Sequence, residues 1–332
     1  MVKLLGITSS SEDMERFTDA EELDFFLDQY GFEGVELMRV GTPDGGIVKP
    51  ERSIGFHLRF FTCWMDFWTG NRAGILENFD SWENCVQFYG GEGRGAITDM
   101  FRDELAFAHK IGAKYVVLHV SHVNLTECVT YRFGYSDEEV IRSTCELVNE
   151  LLPESADYSF ELLLENLWWP GLTFTNPDMT RKLLDGIQYK KKGLLLDTGH
   201  LMNCNLNLKD EEDGIAFIHS MLDAHQDLAE RIRAVHLHQS VSGKYVHEVL
   251  DALAKGEKSI VGEDFIKEGF AERFGDIYIH ILNIDCHKPF TSTKVRALID
   301  RIAPEYLVYE FITRSRDELT EFIETQDHAL FD

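Results

Sequence analysis

Eight short apolar runs, each suited to a buried strand and most followed by an amphipathic helical pattern, constrain this chain more than any other feature. They are Lys3–Thr8, Gly34–Leu37, Ser53–Phe61, Lys114–His119, Ser159–Asn166, Gly193–Asp197, Ile232–Leu237 and Tyr306–Phe311. Between them the spacing predicts helices over Thr18–Tyr30, Phe101–Ile111, Val140–Leu152, Ile215–Leu228 and Val295–Ile302. Strands that are apolar on both faces need cover on both sides, which means parallel pairing with helices outside. Eight such units fit an α/β fold, a (β/α)8 TIM barrel taken as a single domain over residues 1–332. An open doubly wound sheet is the alternative, but no GxGxxG turn follows a strand. Long insertions follow strands 3 and 7. The first, 62–99, carries Trp64, Phe67, Trp68, Trp82, Phe88 and Tyr89; the second covers 238–284. Connections this long are lids, interfaces, or a peripheral subdomain with its own small core.

Charge narrows the function classes. Thirty-two basic against 58 acidic residues leave a formal charge of −26. Phosphate affinity comes mostly from Lys and Arg, so general nucleic-acid binding is disfavoured, as is docking on anionic membranes. No uninterrupted apolar stretch is long enough to span a bilayer, and the start MVKLLGITSSSEDMERF lacks the apolar core of a secretion signal. The six cysteines form no CxxC pair and read as reduced packing residues. The expectation is a cytoplasmic protein.

The strand ends carry the chemistry. His57 lies in the third strand, and His119 ends the fourth in VVLHVSH. Glu165 ends the fifth in LLLEN, Asp197 the sixth in LLLDTGH, His236 the seventh in AVHLHQ and Glu310 the eighth in VYEF. Chemistry in such barrels sits at the C-terminal ends of the strands. A carboxylate there, preceded by residues that must be buried, is costly unless paired or metal-bound, and these strands offer no neutralising Lys or Arg. One divalent cation satisfies Glu165, Asp197, His236 and Glu310 together; three oxygens and one nitrogen suit Mn²⁺, Co²⁺, Zn²⁺ or Mg²⁺. A lone DxxH or HxH is a weak signal, because a single strand-end histidine is usually a hydrogen-bonded structural residue. The ordered set is what carries weight.

That set, His57, His119, Glu165, Asp197-Thr198-Gly199-His200, His236-Leu237-His238, Asp285-Cys286-His287 and Glu310, resembles the xylose isomerase-like TIM-barrel superfamily over nearly the whole chain. The superfamily includes sugar-phosphate isomerases and epimerases, ketose 3-epimerases and the endonuclease IV family. In the isomerase and epimerase members, the resemblance implies that residues matching Glu165, Asp197, His236 and Glu310 hold one metal. The two glutamates there also move protons, and the residue matching His200 contacts substrate. In endonuclease IV nine residues hold three zinc ions. The matching positions here are His57, His119, Glu165, Asp197, His200, His236, Asp285, His287 and Glu310, so Asp285 and His287 are additional candidate ligands.

Two departures stand out. Relatives often carry Asn-Asp or Asp after the residue matching His236, where this chain has His238-Gln239-Ser240. The Asp-x-His element leads into HKPFTS rather than a glycine-rich turn. The loops DMFRDE, KDEEDG and GEDFIKEGFAE are acidic on balance, which disfavours a DNA groove. The leading expectation is therefore a metal-dependent sugar isomerase or epimerase. Its bases would be Glu165 and Glu310, with His57, His119, His200 and Trp168 on a carbohydrate-type substrate and a homo-oligomer or small partner subunit conceivable. The alternatives are a lyase subunit resembling C-glycoside deglycosidases, an endonuclease IV-like zinc phosphodiesterase, and a non-catalytic metal-containing binding protein. Trp168 and Trp169 suit either a sugar face or rim packing. Arg59 suits an anion or a neighbouring acid, the acid being favoured. His219, His225, His247 and His280 read as surface or packing residues, and Lys190–Lys192 as a solvated cluster.

Overall fold

The computed structural model describes residues 1–41, 46–60, 62–256 and 269–332. Eight strands form a closed barrel in sequence order: β1 (Val2–Thr8), β2 (Gly34–Met38), β3 (Ser53–His57), β4 (Tyr115–His119), β5 (Glu161–Glu165), β6 (Lys192–Asp197), β7 (Ile232–Leu237) and β8 (Tyr306–Tyr309). Every neighbouring pair is parallel, and β8 closes onto β1 with Val2 opposite Tyr306. The long helices lie between strands, as the alternating pattern requires.

The inside of the barrel is set by the two-residue period of a strand. Leu4, Tyr115, Val117, Leu163, Leu195, Ala234, Tyr306 and Val308 pack together as one buried cluster. Two residues further along their strands come His119, Glu165, Asp197, His236 and Glu310. The chemical groups therefore share the inward face with the apolar plug and cap it at the C-terminal end. The alternate residues, such as Val116, Leu118, Leu162, Leu164, Leu194 and Leu196, belong to the larger cluster between strands and helices. A one-residue slip in any strand would put its ligand group among the helices. Gly55 in β3 serves this interior: a Cβ there would lie 2.4 Å from the Tyr115 ring, so its absence gives that side chain room.

Two of the sequence-expected runs extend beyond the sheet. The third strand stops at His57, and Phe61 lies outside the described residues; the eighth stops at Tyr309, with Glu310 just past it. Leu58 and Phe311 are buried just past the strand ends, Leu58 still donating its N–H to the Val117 carbonyl of β4 at 3.0 Å, and hydrophobicity alone does not mark where a strand stops.

The insertion 62–99 forms the helices Met65–Thr69, Arg72–Phe79 and Trp82–Tyr89 and begins Arg94–Ile111. Its Trp64, Phe67, Trp68, Phe79 and Tyr89 join the main outer cluster. The insertion 238–284 contributes helices Gly243–Lys255 and Phe270–Ile284, while its residues 257–268 lie outside the described set. Val246, Val249, Ile277 and Ile284 pack with Val123, Trp168 and Trp169 in a separate apolar cluster. Among the described residues, no helix is long and apolar enough to cross a membrane.

Candidate metal centre

Local structure fixes each ligand group before any metal is considered. Asp197 caps the helix Thr198–Asn203: its Oδ1 accepts from the His200 N–H at 2.6 Å, which leaves Oδ2 facing inward. Asn166 grips the Asp197 backbone from both sides, its Nδ2 donating to the Asp197 carbonyl at 3.0 Å and its Oδ1 accepting from the Asp197 N–H at 2.9 Å. Thr198 Oγ1 lies 3.0 Å from the His236 carbonyl and 2.6 Å from that of His238. Gly199 lets the His238 imidazole lie flat against the helix, since a Cβ would sit 2.1 Å from its Cε1. The small residues of LLLEN and LLLDTGH thus orient their acidic and imidazole neighbours.

The long excursion after β7 closes where Gln239 pairs with Lys288, and that bridge carries Asp285 and His287 back beside His200. His287 takes φ 45°, a left-handed turn made without glycine. Its strain, on the order of 1 kcal/mol, is held by three contacts. Nδ1 donates to the Glu310 carbonyl at 2.9 Å, Nε2 lies 2.8 Å from Asp285 Oδ2, and the ring stacks on His238 at 3.9 Å.

The nine positions singled out by the sequence converge. Glu165 is the hub: Oε2 lies 3.1 Å from His57 Nε2 and 2.9 Å from His119 Nε2, and Oε1 lies 3.3 Å from both His200 Nδ1 and His236 Nδ1. Glu310 Oε2 is 3.1 Å from His236 Nδ1, and Asp285 Oδ2 is 3.1 Å from His200 Nε2. Four groups have ligand atoms within 4.8 Å of one another: Glu165, Asp197, His236 and Glu310; Glu36, His57, His236 and Glu310; His57, His119 and Glu165; and, sharing no residue with these, His200, His238, Asp285 and His287. Nearly all of these residues are buried; the Glu310 side chain, 25 % exposed, is the most accessible.

Sequence reading left two residues of the site without a role. His238, seen only as part of an HLH motif, places Nε2 2.9 Å from Asp197 Oδ2. Glu36, in β2, lies inside the barrel with Oε1 2.8 Å from His236 Nε2. Its signal was a carboxylate in the otherwise apolar GVEL run.

The electrostatics are those of a closed network. Burial pushes the Glu165 carboxyl up, but His119 and His236 outweigh it and hold the group well below the usual carboxylate range. Burial likewise opposes ionisation of Glu310, yet His236 and His287 bring it down to about 2. Burial lowers His287, and Asp285 then raises it to about 9. Among the described residues no Lys or Arg pairs with Glu165, Asp197, Asp285 or Glu310; imidazoles supply the whole countercharge.

The residues present fit a divalent cation. Glu165 Oε1, His236 Nδ1 and Glu310 Oε2 are buried, the two oxygens 3.3 and 3.1 Å from His236 Nδ1, but no well-aligned hydrogen bond satisfies them. Backbone carbonyls preset the imidazoles. His57 Nδ1 lies 2.9 Å from the Leu58 carbonyl, which turns its Nε2 toward the centre, as in His287; His200 Nδ1 lies 2.9 Å from the Asn166 carbonyl, which directs its Nε2 to Asp285. Mixed oxygen and nitrogen donors suit Mn²⁺, Co²⁺ or Zn²⁺ better than Mg²⁺.

The other candidates separate clearly. Trp168 is buried, its ring 5.2 Å from that of His200 and 4.3 Å from Trp169. Arg59 meets the acid: its Nη2 lies 3.2 Å from the fully buried Glu104, which Arg39 also approaches. His225 and His280 are buried, His225 beside Thr180 and His280 beside Tyr245. His219 contacts Arg301, and His247 is exposed. Lys190 and Lys191 pair with Glu154 and Asp157 away from the site.

Comparison with known proteins agrees with this architecture. The 3-keto-D-glucoside 4-epimerase YcjR from E. coli is 13 % identical, with 98 % of each chain covered and a TM-score of 0.50. An L-ribulose 3-epimerase is 11 % identical over 99 % of this chain and 92 % of its own, with a TM-score of 0.49. A D-tagatose 3-epimerase-like protein is 15 % identical over 98 % of each chain, at 0.47. At 13 % identity the likeness to the 4-epimerase is one of fold. No curated protein matches the sequence. The family described as xylose isomerase-like TIM barrel matches residues 88–292, more than half of the chain. This protein belongs to the xylose isomerase-like TIM barrel family.

Proposed function

We propose that the protein is a divalent-metal-dependent isomerase or epimerase of a sugar or sugar derivative. The observation that carries this reading is the group Glu165, Asp197, His236 and Glu310, with three unsatisfied buried atoms at its centre. Those four residues would hold the ion, which would polarise a substrate carbonyl and make the neighbouring C–H proton removable. Asp197 and His236 orient; they are fixed by the helix cap and by Glu36. Glu310, the glutamate with the more accessible side chain, takes the proton next to the carbonyl. Glu165, ionised at rest, relays a proton from the His57 imidazolium 3.1 Å away to the opposite face of that carbon in an epimerisation, or to the adjacent carbon in an isomerisation, while Glu310 gives up its own proton to solvent. Trp168 and His200 border the substrate and fix its hydroxyls, with His57 and His119 behind Glu165.

The test is solvent exchange. Ketoses and 3-keto-glycosides are incubated in deuterated buffer with protein loaded with Mn²⁺, Co²⁺ or Zn²⁺, and the carbon next to the carbonyl is followed by NMR. Deuterium entering one such position, and no exchange after chelator treatment, is the expected result. No exchange with any metal and any sugar of the panel contradicts it.

A second reading is favoured by one observation: the two outer groups complete the nine positions that in endonuclease IV hold three zinc ions. Metal-assisted phosphodiester hydrolysis uses such clustered ions. The charge of −26 opposes a DNA substrate. Cleavage of an abasic duplex by the zinc-loaded protein would move the assignment to this reading.

A further inference from the structure

The imidazoles of the centre are not all preset in the same way. His57 and His287 each turn Nδ1 to a backbone carbonyl and Nε2 inward, and His200 shares Nδ1 between the Asn166 carbonyl at 2.9 Å and Glu165 Oε1 at 3.3 Å. His236 is reversed. Its Nδ1 faces Glu165, Asp197 and Glu310, and its Nε2 points down the barrel to the Glu36 carboxylate at 2.8 Å. The other Glu36 oxygen accepts from Tyr115 Oη at 2.7 Å, and both residues are buried. Gly55 makes room for the Tyr115 ring.

We propose that Glu36 and Tyr115 are positioning residues, a carboxylate and phenol pair inside the barrel that fixes His236 as the Nε2–H tautomer and presents Nδ1 to the cation. The inference deepens the metal reading above and rests on it. Glu36 also lies within ligand reach of His57, His236 and Glu310, but both its oxygens are occupied, one by His236 and one by Tyr115, so Glu36 acts on the ion through the imidazole rather than as a ligand. A carboxylate behind a ligating histidine does two things a carbonyl does less well: it raises the basicity of the ligating nitrogen and it resists rotation of the ring. Tyr115 in turn holds the carboxylate in one orientation. The arrangement needs an inward residue on each of β2, β3, β4 and β7, and the two-residue period places Glu36, Gly55, Tyr115 and His236 on that face.

The experiment is a cobalt(II) or zinc titration of metal-free wild type, Glu36→Gln and Tyr115→Phe, with thermal melting of the metal-free proteins as a separate measure of the fold. Glu36→Gln keeps an acceptor for His236 but loses the charge. We expect its affinity to fall by about 10–100-fold with the number of ions unchanged, and that of Tyr115→Phe by less. Zinc-loaded wild type should also show His236 protonated at Nε2 in two-bond ¹H–¹⁵N spectra, a readout that needs no variant to fold. Wild type that binds while Glu36→Gln binds equally well overturns the positioning role alone, as does a His236 unprotonated at Nε2. A fall in melting temperature with unchanged affinity also overturns it, leaving a packing role. Wild type that takes up neither metal overturns the metal reading and this inference together.

Discussion

Glu310→Gln is expected to cut turnover by about 10²–10⁴-fold while leaving the barrel folded, because a positioned acid–base group typically contributes that much. Glutamine preserves the size of the side chain and one acceptor oxygen. It removes the negative charge that faces His236 at 3.1 Å and the basicity needed to take a proton from carbon. The wild-type carboxyl is ionised at neutral pH because His236 and His287 outweigh its burial and hold it near 2. The core contact of the segment is untouched: Tyr309 and Phe311 on either side are buried whatever stands between them. The measurement is deuterium exchange or product formation on the sugar that wild type converts, together with circular dichroism. Full activity in a folded variant removes Glu310 from the chemistry.

Glu165→Gln is expected to weaken metal binding by more than about 100-fold, the larger of the two ligand effects. Partners behind a ligand are worth about 10–100-fold, and Glu165 is a shared ligand rather than a partner. Four imidazoles converge on its two oxygens, and it belongs to two of the four candidate groups. An amide presents an N–H₂ to two of those nitrogens and carries no charge to offset the ion. Calorimetric titration of the metal-free variant checks this. Affinity within threefold of wild type would place the ion elsewhere, on His200, His238, Asp285 and His287 or on Glu36, His57, His236 and Glu310, which the substitution leaves intact.

The barrel and the placement of most of the cluster were legible because both follow from periodicity. An apolar strand whose last inward residue is charged has only one way to bury its plug and present its charge at the mouth, as Leu163 and Glu165 or Leu195 and Asp197 do. Glu36 was missed because it interrupts a run too short to show its parity, and its meaning depends on Tyr115 and His236, far away in sequence. His238 was visible in HLH, but its role follows from Gly199 in the helix after β6. The turn without glycine after Asp285 was legible as an oddity and not as a solution; His287 takes the left-handed conformation itself, braced by Asp285, His238 and the Glu310 carbonyl. The ends of strands were the least legible feature. Leu58 and Phe311 lie past the strand ends yet are as apolar and as buried as ladder residues.

The most direct measurement is the metal content per chain of protein purified without chelator or affinity nickel, followed by titration of the stripped protein with Mn²⁺, Co²⁺ and Zn²⁺. We expect at least one equivalent, bound at Glu165, Asp197, His236 and Glu310 and raising the melting temperature as it binds, since a ligand that prefers the folded state stabilises it. A protein that carries no metal and takes none up on titration would contradict a metal centre in this barrel.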